Sequence, residues 1–482
     1  MAKATGRSGA TKSWLQEGWC SMFREQEFGF CDGLRAIAVL WVCSYHACAV
    51  FTNSFPPLLR RSEEFETFWL SALPMAGRWG VDLFFVLSGF LLGGALHREM
   101  LAEGRMAVGS FCVRRIFKIY PTLLVAAWVV IPFVDYLATG SPMAHCPDKR
   151  WWMNFFLVNN FIKDSACVGG TVWTISAELQ MYMATPVLVG LAWAVGTWGR
   201  PWLTPVGCVV AACAVSWAMC VALRLRHGPE AHGFYHATQY RCGPYVSGVA
   251  AGALAVDWKA RGGWREPENK GGLAASLALL ACAVVLIGMP KFGRGGAKSR
   301  MVFGDEEWLT PAMRLRVALG RPVFGVAMAG LLMLCSCGCA PRVSGFLGAK
   351  AWRPVAAVSY SMYLLQWPSW PLYNGLWGPI LGAATSSLDE SSTRCRLALV
   401  GWFYICMFTL ASVPLSLLNH LLVERPCIKL GQRLAPGAKT GSGPSPADAE
   451  CGPEGVDDPT REPLLRARTA MGGGHVRRPT AV

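Results

Sequence analysis

Apolar runs of about twenty residues recur along the chain, separated by short polar loops. A helix of that length matches the hydrocarbon thickness of a bilayer. The runs predict ten membrane spans, at approximately 34–51, 79–96, 118–138, 172–196, 203–223, 243–256, 272–289, 320–337, 354–376 and 399–422. The expected fold is therefore an all-α polytopic membrane protein, about ten transmembrane helices forming one bundle. The short sixth span carries Gly248 and Gly252, a spacing that permits close helix contact. Residues 151–161, WWMNFFLVNNF, are too short to cross and are expected at the interface or as a re-entrant segment. Residues 1–30 read as a cytoplasmic segment with an interfacial helix, 31–430 as the transmembrane domain, and 431–482 as a disordered cytoplasmic tail rich in Gly, Pro and charge.

Composition agrees with the pattern. Of 482 residues, 53% are hydrophobic and only 16% charged, too few charges for a soluble chain of this length. The formal net charge of +15 resembles that of a nucleic-acid binder. The cations, however, sit mostly in loops between apolar runs, so they read as membrane-flanking charge and no nucleic-acid partner is expected. No cleavable signal peptide is visible, and the first span is expected to serve as its own insertion signal.

Orientation is less plainly written. Arg98, Arg105, Arg114 and Arg115 after the second span favour the cytoplasm, as do Lys259, Arg261, Arg265 and Lys270 after the sixth. Residues 290–319, external in the same topology, are also basic. Cys146 and Cys167 bracket a polar loop, and a disulfide between them in an oxidising compartment places both termini in the cytoplasm. The membrane itself, plasma membrane or endomembrane, is left open. Other cysteines, Cys43, Cys48, Cys208, Cys213, Cys220, Cys282 and Cys406, read as small packing residues. The CSCGC run at 335–339 has no nearby histidine or fourth thiol, so it reads as a helix end and no metal is expected.

Polar residues inside apolar runs carry the candidate chemistry, because ionisable groups in a bilayer are expensive. Arg35 and His46, eleven residues apart, fall on nearly the same helix face, separated by roughly 16 Å. A guanidinium at the membrane surface would hold an anionic donor while the deeper imidazole meets its reactive end as general base. Two histidines fall within the expected spans, and the second, His420, reads as a packing residue. Asp82, Ser88 and Gly89 interrupt the second span, where a packing notch and a substrate approach are equally good readings. Arg114, Arg115 and Lys118 form a basic cluster that would clamp phosphate oxygens or mark topology. Glu178, within a block running from Trp173 to Tyr182, is a carboxylate that needs a partner; Arg35, His46 or an interfacial arginine are the candidates. Ser359, Tyr360, Ser361, Tyr363 and Gln366 form a polar stripe in the ninth span, suited to a cavity wall or to helix–helix hydrogen bonds.

Together these stretches resemble the acyltransferase 3 family of membrane acyltransferases. The likeness rests on the Arg35/His46 pair, FFVLSGF at 84–90, the Trp173-to-Glu178 block and VERP at 423–426. WWMNFFLVNNFI, Cys167 and RCGPYVSG at 241–248 are similar to the eukaryotic branch resembling nose-resistant-to-fluoxetine proteins. The resemblance implies a ten-helix core that transfers an acyl group, typically acetyl, from acyl-CoA to a hydroxyl of a carbohydrate or lipid acceptor. It implies a catalytic role for His46; the residues themselves suggest Glu178 to orient or support it and Ser88 to donate to the developing oxyanion. Arg35, Arg114, Arg115 and Lys118 would engage the donor. Asp32, Asp82, Trp173, Tyr182, Tyr360, Tyr363 and Gln366 are the expected substrate contacts. Three positions depart from the pattern: Lys118 stands for an arginine, Leu179 for a second glutamate and Gln366 for a frequent histidine. A lipid or small-molecule transporter on the same helices is the alternative reading.

Overall fold

The computed structural model describes residues 19–23, 28–54, 68–140, 152–161, 171–197, 204–227, 236–262, 270–288, 311–386, 388 and 392–436. Among them there is no strand. Ten long helices follow one another: α1 Phe30–Ser54, α2 Trp79–Glu103, α3 Val108–Val125, α4 Val172–Gly196, α5 Pro205–His227, α6 Thr238–Ala260, α7 Lys270–Gly288, α8 Pro311–Ser336, α9 Trp352–Ser386 and α10 Arg394–Asn419. A π-helical turn, Ala126–Val130, carries α3 on into Ile131–Thr139. A second, His420–Glu424, carries α10 on into Arg425–Leu434.

Among the described residues, seven helical stretches are long and apolar enough to cross a membrane: Phe30–Phe51, Trp79–Glu103, Val108–Val134, Val172–Gly196, Pro205–His227, Leu315–Ser336 and Arg394–Leu434. Each overlaps an expected span. The other three expected spans are helical too, as α6, α7 and α9, but fall outside that set. The apolar part of α7 is shorter, Gly272–Val284. Arg241, Asp257 and Lys259 interrupt α6, and the Ser359–Gln366 stripe interrupts α9. The α6 and α9 helices pack among other helices, which relaxes the need for apolar surface.

The most extensive helix pair joins α2 to α6. A Cβ at Gly248 would overlap the Val86 carbonyl oxygen and one at Gly252 that of Phe90, while Gly89 and Gly93 present the same closeness to Tyr245 and Val249. The glycines of the two helices interlock backbone to backbone, so the sixth span's weak spacing signal marks a true contact. Val39, Phe85, Leu92, Leu123, Ile175, Tyr245 and Leu365 lie in one core shared by α1, α2, α3, α4, α6 and α9.

Smaller elements complete the bundle. Trp152–Phe155 is a single helical turn, followed by a 3₁₀ turn at Asn159–Phe161. The three asparagines of this segment are buried: Asn159 donates to Asn154 at 2.7 Å within it, while Ser176 of α4 donates to Asn159 and Gln180 of α4 to Asn160 at 3.0 Å and to the Leu157 carbonyl at 2.8 Å. The CSCGC run is a helix stop. Gly338 adopts φ 76°, and the Cys339 N–H donates to Leu334 O at 2.9 Å, closing the end of α8. Of the cysteines read as packing residues, Cys43, Cys48, Cys208, Cys213 and Cys220 are buried thiols, whereas Cys282 and Cys406 face outward. Residues 437–482 and the Cys146/Cys167 loop lie outside the described residues.

Candidate functional site

Five helices enclose a cavity of about 220 Å³. Arg35 reaches it from α1, Ser88 from α2, Arg115 and Lys118 from α3, Thr174, Glu178 and Tyr182 from α4, and Ser359, Tyr360 and Tyr363 from α9. Helical periodicity explains the grouping, since residues three and four apart share a face: Arg115 with Lys118, Glu178 with Tyr182, Tyr360 with Tyr363. The lining holds three cations against one carboxylate, a balance that favours an anionic ligand.

Glu178 forms the cavity's polar centre. Its Oε1 accepts from Ser88 Oγ at 2.6 Å and from the Tyr182 hydroxyl, which also lies 3.1 Å from Ser88 Oγ. The Arg115 guanidinium stacks over the Tyr182 ring at 5.7 Å and over Phe111 at 5.5 Å. Thr174 donates to the Tyr363 hydroxyl at 2.9 Å, and Tyr360 donates to the Ile119 carbonyl at 2.8 Å. These bonds fix the orientations of the α4 and α9 side chains. With its proton on Glu178, Ser88 is not aimed as an oxyanion donor in this arrangement.

His46 lies one step beyond the cavity and is not among its lining residues. Its half-buried ring packs 5.1 Å from Trp367 and 5.6 Å from Tyr45. Its Nδ1 is 3.0 Å from Gln366 Oε1. Gln366 Nε2 donates to the Tyr363 carbonyl at 2.8 Å, and a carbonyl can only accept, so the amide oxygen must face the imidazole. Nδ1 then carries the proton and Nε2 keeps its lone pair, the tautomer a general base requires. Tyr363, on the cavity wall, is one α9 turn from Gln366. Glu178, the one residue the sequence offered in support of His46, is bonded to Ser88 and Tyr182 instead.

Several expected site residues stand elsewhere. Asp32 is buried and accepts from Arg35 at 3.2 Å, so it positions the guanidinium and is not a cavity-lining contact. Arg114 turns away from the cavity and donates to the Ala435 carbonyl at 3.1 Å, capping the helix Arg425–Leu434 against α3. Asp82 is fully buried beneath two arginines, Arg241 at 3.2 Å and Arg321. Trp173 gives its ring face to Arg241, 5.2 Å away, outside the cavity. Gln366, expected at the substrate, is fully buried with both amide atoms engaged as above.

Other polar groups escaped the sequence reading. The second expected span stopped at residue 96, whereas α2 continues to Glu103 and takes in His97, buried 5.2 Å from Trp193. Glu424, in the VERP run, accepts from Ser361 at 2.6 Å and pairs with His420 at 3.1 Å; Asn419 donates to Ser361 and to Thr122. This buried network ties α3, α9 and α10 together beside Lys118 and Tyr360. Arg321, a cation inside the eighth expected span, and Arg241, two residues before the sixth, were the available signal that Asp82 is paired.

The chain is 20% identical over 401 residues to nose resistant to fluoxetine protein 6 of Caenorhabditis elegans, covering 73% of this chain and 46% of the relative. It is 26% identical over 353 residues to the putative peptidoglycan O-acetyltransferase YrhL of Bacillus subtilis, covering 70% and 48%. A putative O-acetyltransferase of Staphylococcus aureus is 30% identical over 166 residues, covering 33% and 24%. The chain thus spans less than half the length of each of these relatives. No solved structure matches significantly. The acyltransferase 3 model, described as an acyltransferase domain, matches residues 28–419, and on that extent this multi-pass membrane chain belongs to the acyltransferase 3 family.

Proposed function

We propose that the protein transfers an acyl group, acetyl in the simplest case, from acyl-CoA to a hydroxyl of a carbohydrate or lipid acceptor. The observation that carries this reading is the convergence of Arg35, Arg115 and Lys118 on one cavity whose far wall, Tyr363, adjoins the Gln366–His46 pair. Both termini are assigned to the cytoplasm, so the donor enters from the end of the bundle where Arg35 lies. Arg35, Arg115 and Lys118 engage donor phosphates by charge-assisted hydrogen bonds. The extended arm runs along the cavity, where Glu178, held by Ser88 and Tyr182, accepts from its amide N–H groups.

The thioester meets the acceptor hydroxyl near His46. Nε2 takes the hydroxyl proton as the oxygen attacks the thioester carbonyl carbon. The tetrahedral adduct collapses, the C–S bond breaks, and the imidazolium returns the proton to the departing thiolate as CoA thiol. The products are the ester and free CoA. A general base contributes roughly 10²–10⁴-fold to such a step.

Membranes containing the full chain and labelled acetyl-CoA test this reading by CoA release and by label in an acceptor. His46→Ala is expected to abolish both at equal expression. Lipid movement that needs no acyl donor and survives His46→Ala would instead establish the transporter reading.

A further inference from the structure

Cys220 of α5 and Cys242 of α6 face one another, and their thiols are hydrogen-bonded to each other. We propose that the two are a modification site: they form a disulfide that staples α5 to α6. The inference stands apart from the acyl-transfer reading, since neither residue lines the central cavity.

The position of the sulfurs comes first. Cys220 leans on Gly243, the residue after Cys242: a Cβ at Gly243 would stand 3.4 Å from Cys220 Sγ. The missing side chain leaves the room that brings the Cys220 sulfur up to the α6 backbone. The α5–α6 pair is among the most extensive in the bundle. Arg224, one turn beyond Cys220, donates to the Tyr240 carbonyl of α6 at 2.8 Å and so clamps the helices at this level. Sulfurs held in contact on two fixed helices need little backbone movement to join.

Unequal access is the second observation. Cys220 is buried, 1% exposed, whereas Cys242 is partly exposed. Cys242 follows the exposed Gln239 by one turn, and its sulfur lies 3.7 Å from the Gln239 carbonyl oxygen. A small disulfide such as glutathione disulfide therefore meets Cys242 first. The Cys242 thiolate attacks one of its sulfurs and expels a thiolate, leaving a mixed disulfide. The Cys220 thiolate then attacks the Cys242 sulfur and expels the second. The two cysteine protons end on the two expelled thiolates, so two protein thiols are oxidised and one small disulfide is reduced to two thiols.

The full chain in nanodiscs is equilibrated with reduced or oxidised glutathione, denatured in N-ethylmaleimide and digested without reduction. Peptide mass spectrometry is expected to show both cysteines alkylated after reduced glutathione. After oxidised glutathione neither is alkylated and their two peptides are joined. The oxidised wild type is also expected to melt at a higher temperature than the reduced one, because the cross-link restricts the unfolded chain. Cys220→Ala is expected to leave Cys242 as a mixed disulfide with glutathione, and Cys242→Ala to leave Cys220 alkylated in either buffer. The wild-type map depends on no variant folding. Separate alkylation of the two cysteines in oxidised glutathione, or a wild type that stops at the Cys242–glutathione adduct, overturns the proposal. So does a joined pair without the rise in melting temperature.

Discussion

Gln366 meets His46 across 320 residues of sequence, with His46 Nδ1 and Gln366 Oε1 3.0 Å apart. The pairing fixes which imidazole nitrogen is free. It also fixes the ring plane, since Gln366 is itself anchored to the Tyr363 carbonyl at 2.8 Å. In the proposed mechanism the orientation of His46 therefore depends on a fully buried side chain.

Replacing Gln366 by Leu should lower kcat while leaving the KM for acetyl-CoA unchanged. The lost acceptor leaves a buried N–H without a partner, worth about 1–3 kcal/mol, or roughly tenfold to a hundredfold in rate. Gln366→His, whose ring nitrogen can also accept from Nδ1, should retain most of the rate. Steady-state kinetics on matched membrane preparations check both; a Gln366→Leu effect confined to KM would remove Gln366 from this positioning role.

The α2–α6 contact makes a stability prediction. A Cβ at Gly252 would meet the Phe90 carbonyl and the Gly94 amide, both backbone atoms that cannot rotate away. Gly252→Ala should therefore destabilise the protein by about 1–3 kcal/mol, the usual penalty of overpacking. Gly109, whose added Cβ would have nothing within 4 Å, is the control: Gly109→Ala should leave the melting temperature unchanged or raised. Thermal unfolding in detergent, followed by tryptophan fluorescence, reads both.

How much of this was legible beforehand depended on the range of the interaction. Apolar runs located the helices because span length is set by the bilayer, whatever the neighbours. That Arg35 and His46 ride on one helix was legible, but that only Arg35 would line the cavity was not. Partners were not: Ser88 finds Glu178 across 90 residues, and no local pattern encodes that. Adjacent residues were confused for a simple geometric reason. Consecutive helix positions diverge by about 100°, so Arg115 faces the cavity while Arg114 faces the C-terminal helix. Buried ion pairs such as Asp82–Arg241 resembled site residues because an intramembrane charge looks the same in sequence whether it meets a substrate or another side chain.

Arg224 should prove essential to folding for a reason rooted in two prolines. Pro244 and Pro322 lack the N–H that would bond to the carbonyls of Tyr240 and Ala318 four residues earlier. Arg224 supplies both bonds, Nη1 to Tyr240 at 2.8 Å and Nε to Ala318 at 2.9 Å. Arg224→Leu should cost several kcal/mol, since each orphaned buried acceptor costs about 1–3 kcal/mol. In the Pro322→Ala background Ala318 regains a helical partner, so Arg224→Leu should do less harm there. A double-mutant cycle on thermal stability measures the difference; simple additivity would contradict the capping role.

The buried trio of Asp82, Arg241 and Arg321 should respond asymmetrically to substitution. Asp82 has no solvent exposure, and its two carboxylate oxygens face different guanidinium groups from α6 and α8. Asp82→Asn removes the charge that both arginines share and leaves them in an apolar setting beside Trp173, Phe85 and Trp79. Breaking a buried pair in this way costs about 3–5 kcal/mol. Removing the Arg241 charge as well takes away the desolvation penalty of that arginine, while Arg321, the more exposed of the two, keeps its own. Asp82→Asn should therefore lower the melting temperature sharply, and adding Arg241→Met should recover part of that loss. The trio lies outside the cavity, so the recovered protein should bind CoA with wild-type affinity. A double variant less stable than Asp82→Asn would show that Arg241 contributes through its stacking on Trp173 and Phe85 rather than through the ion pair.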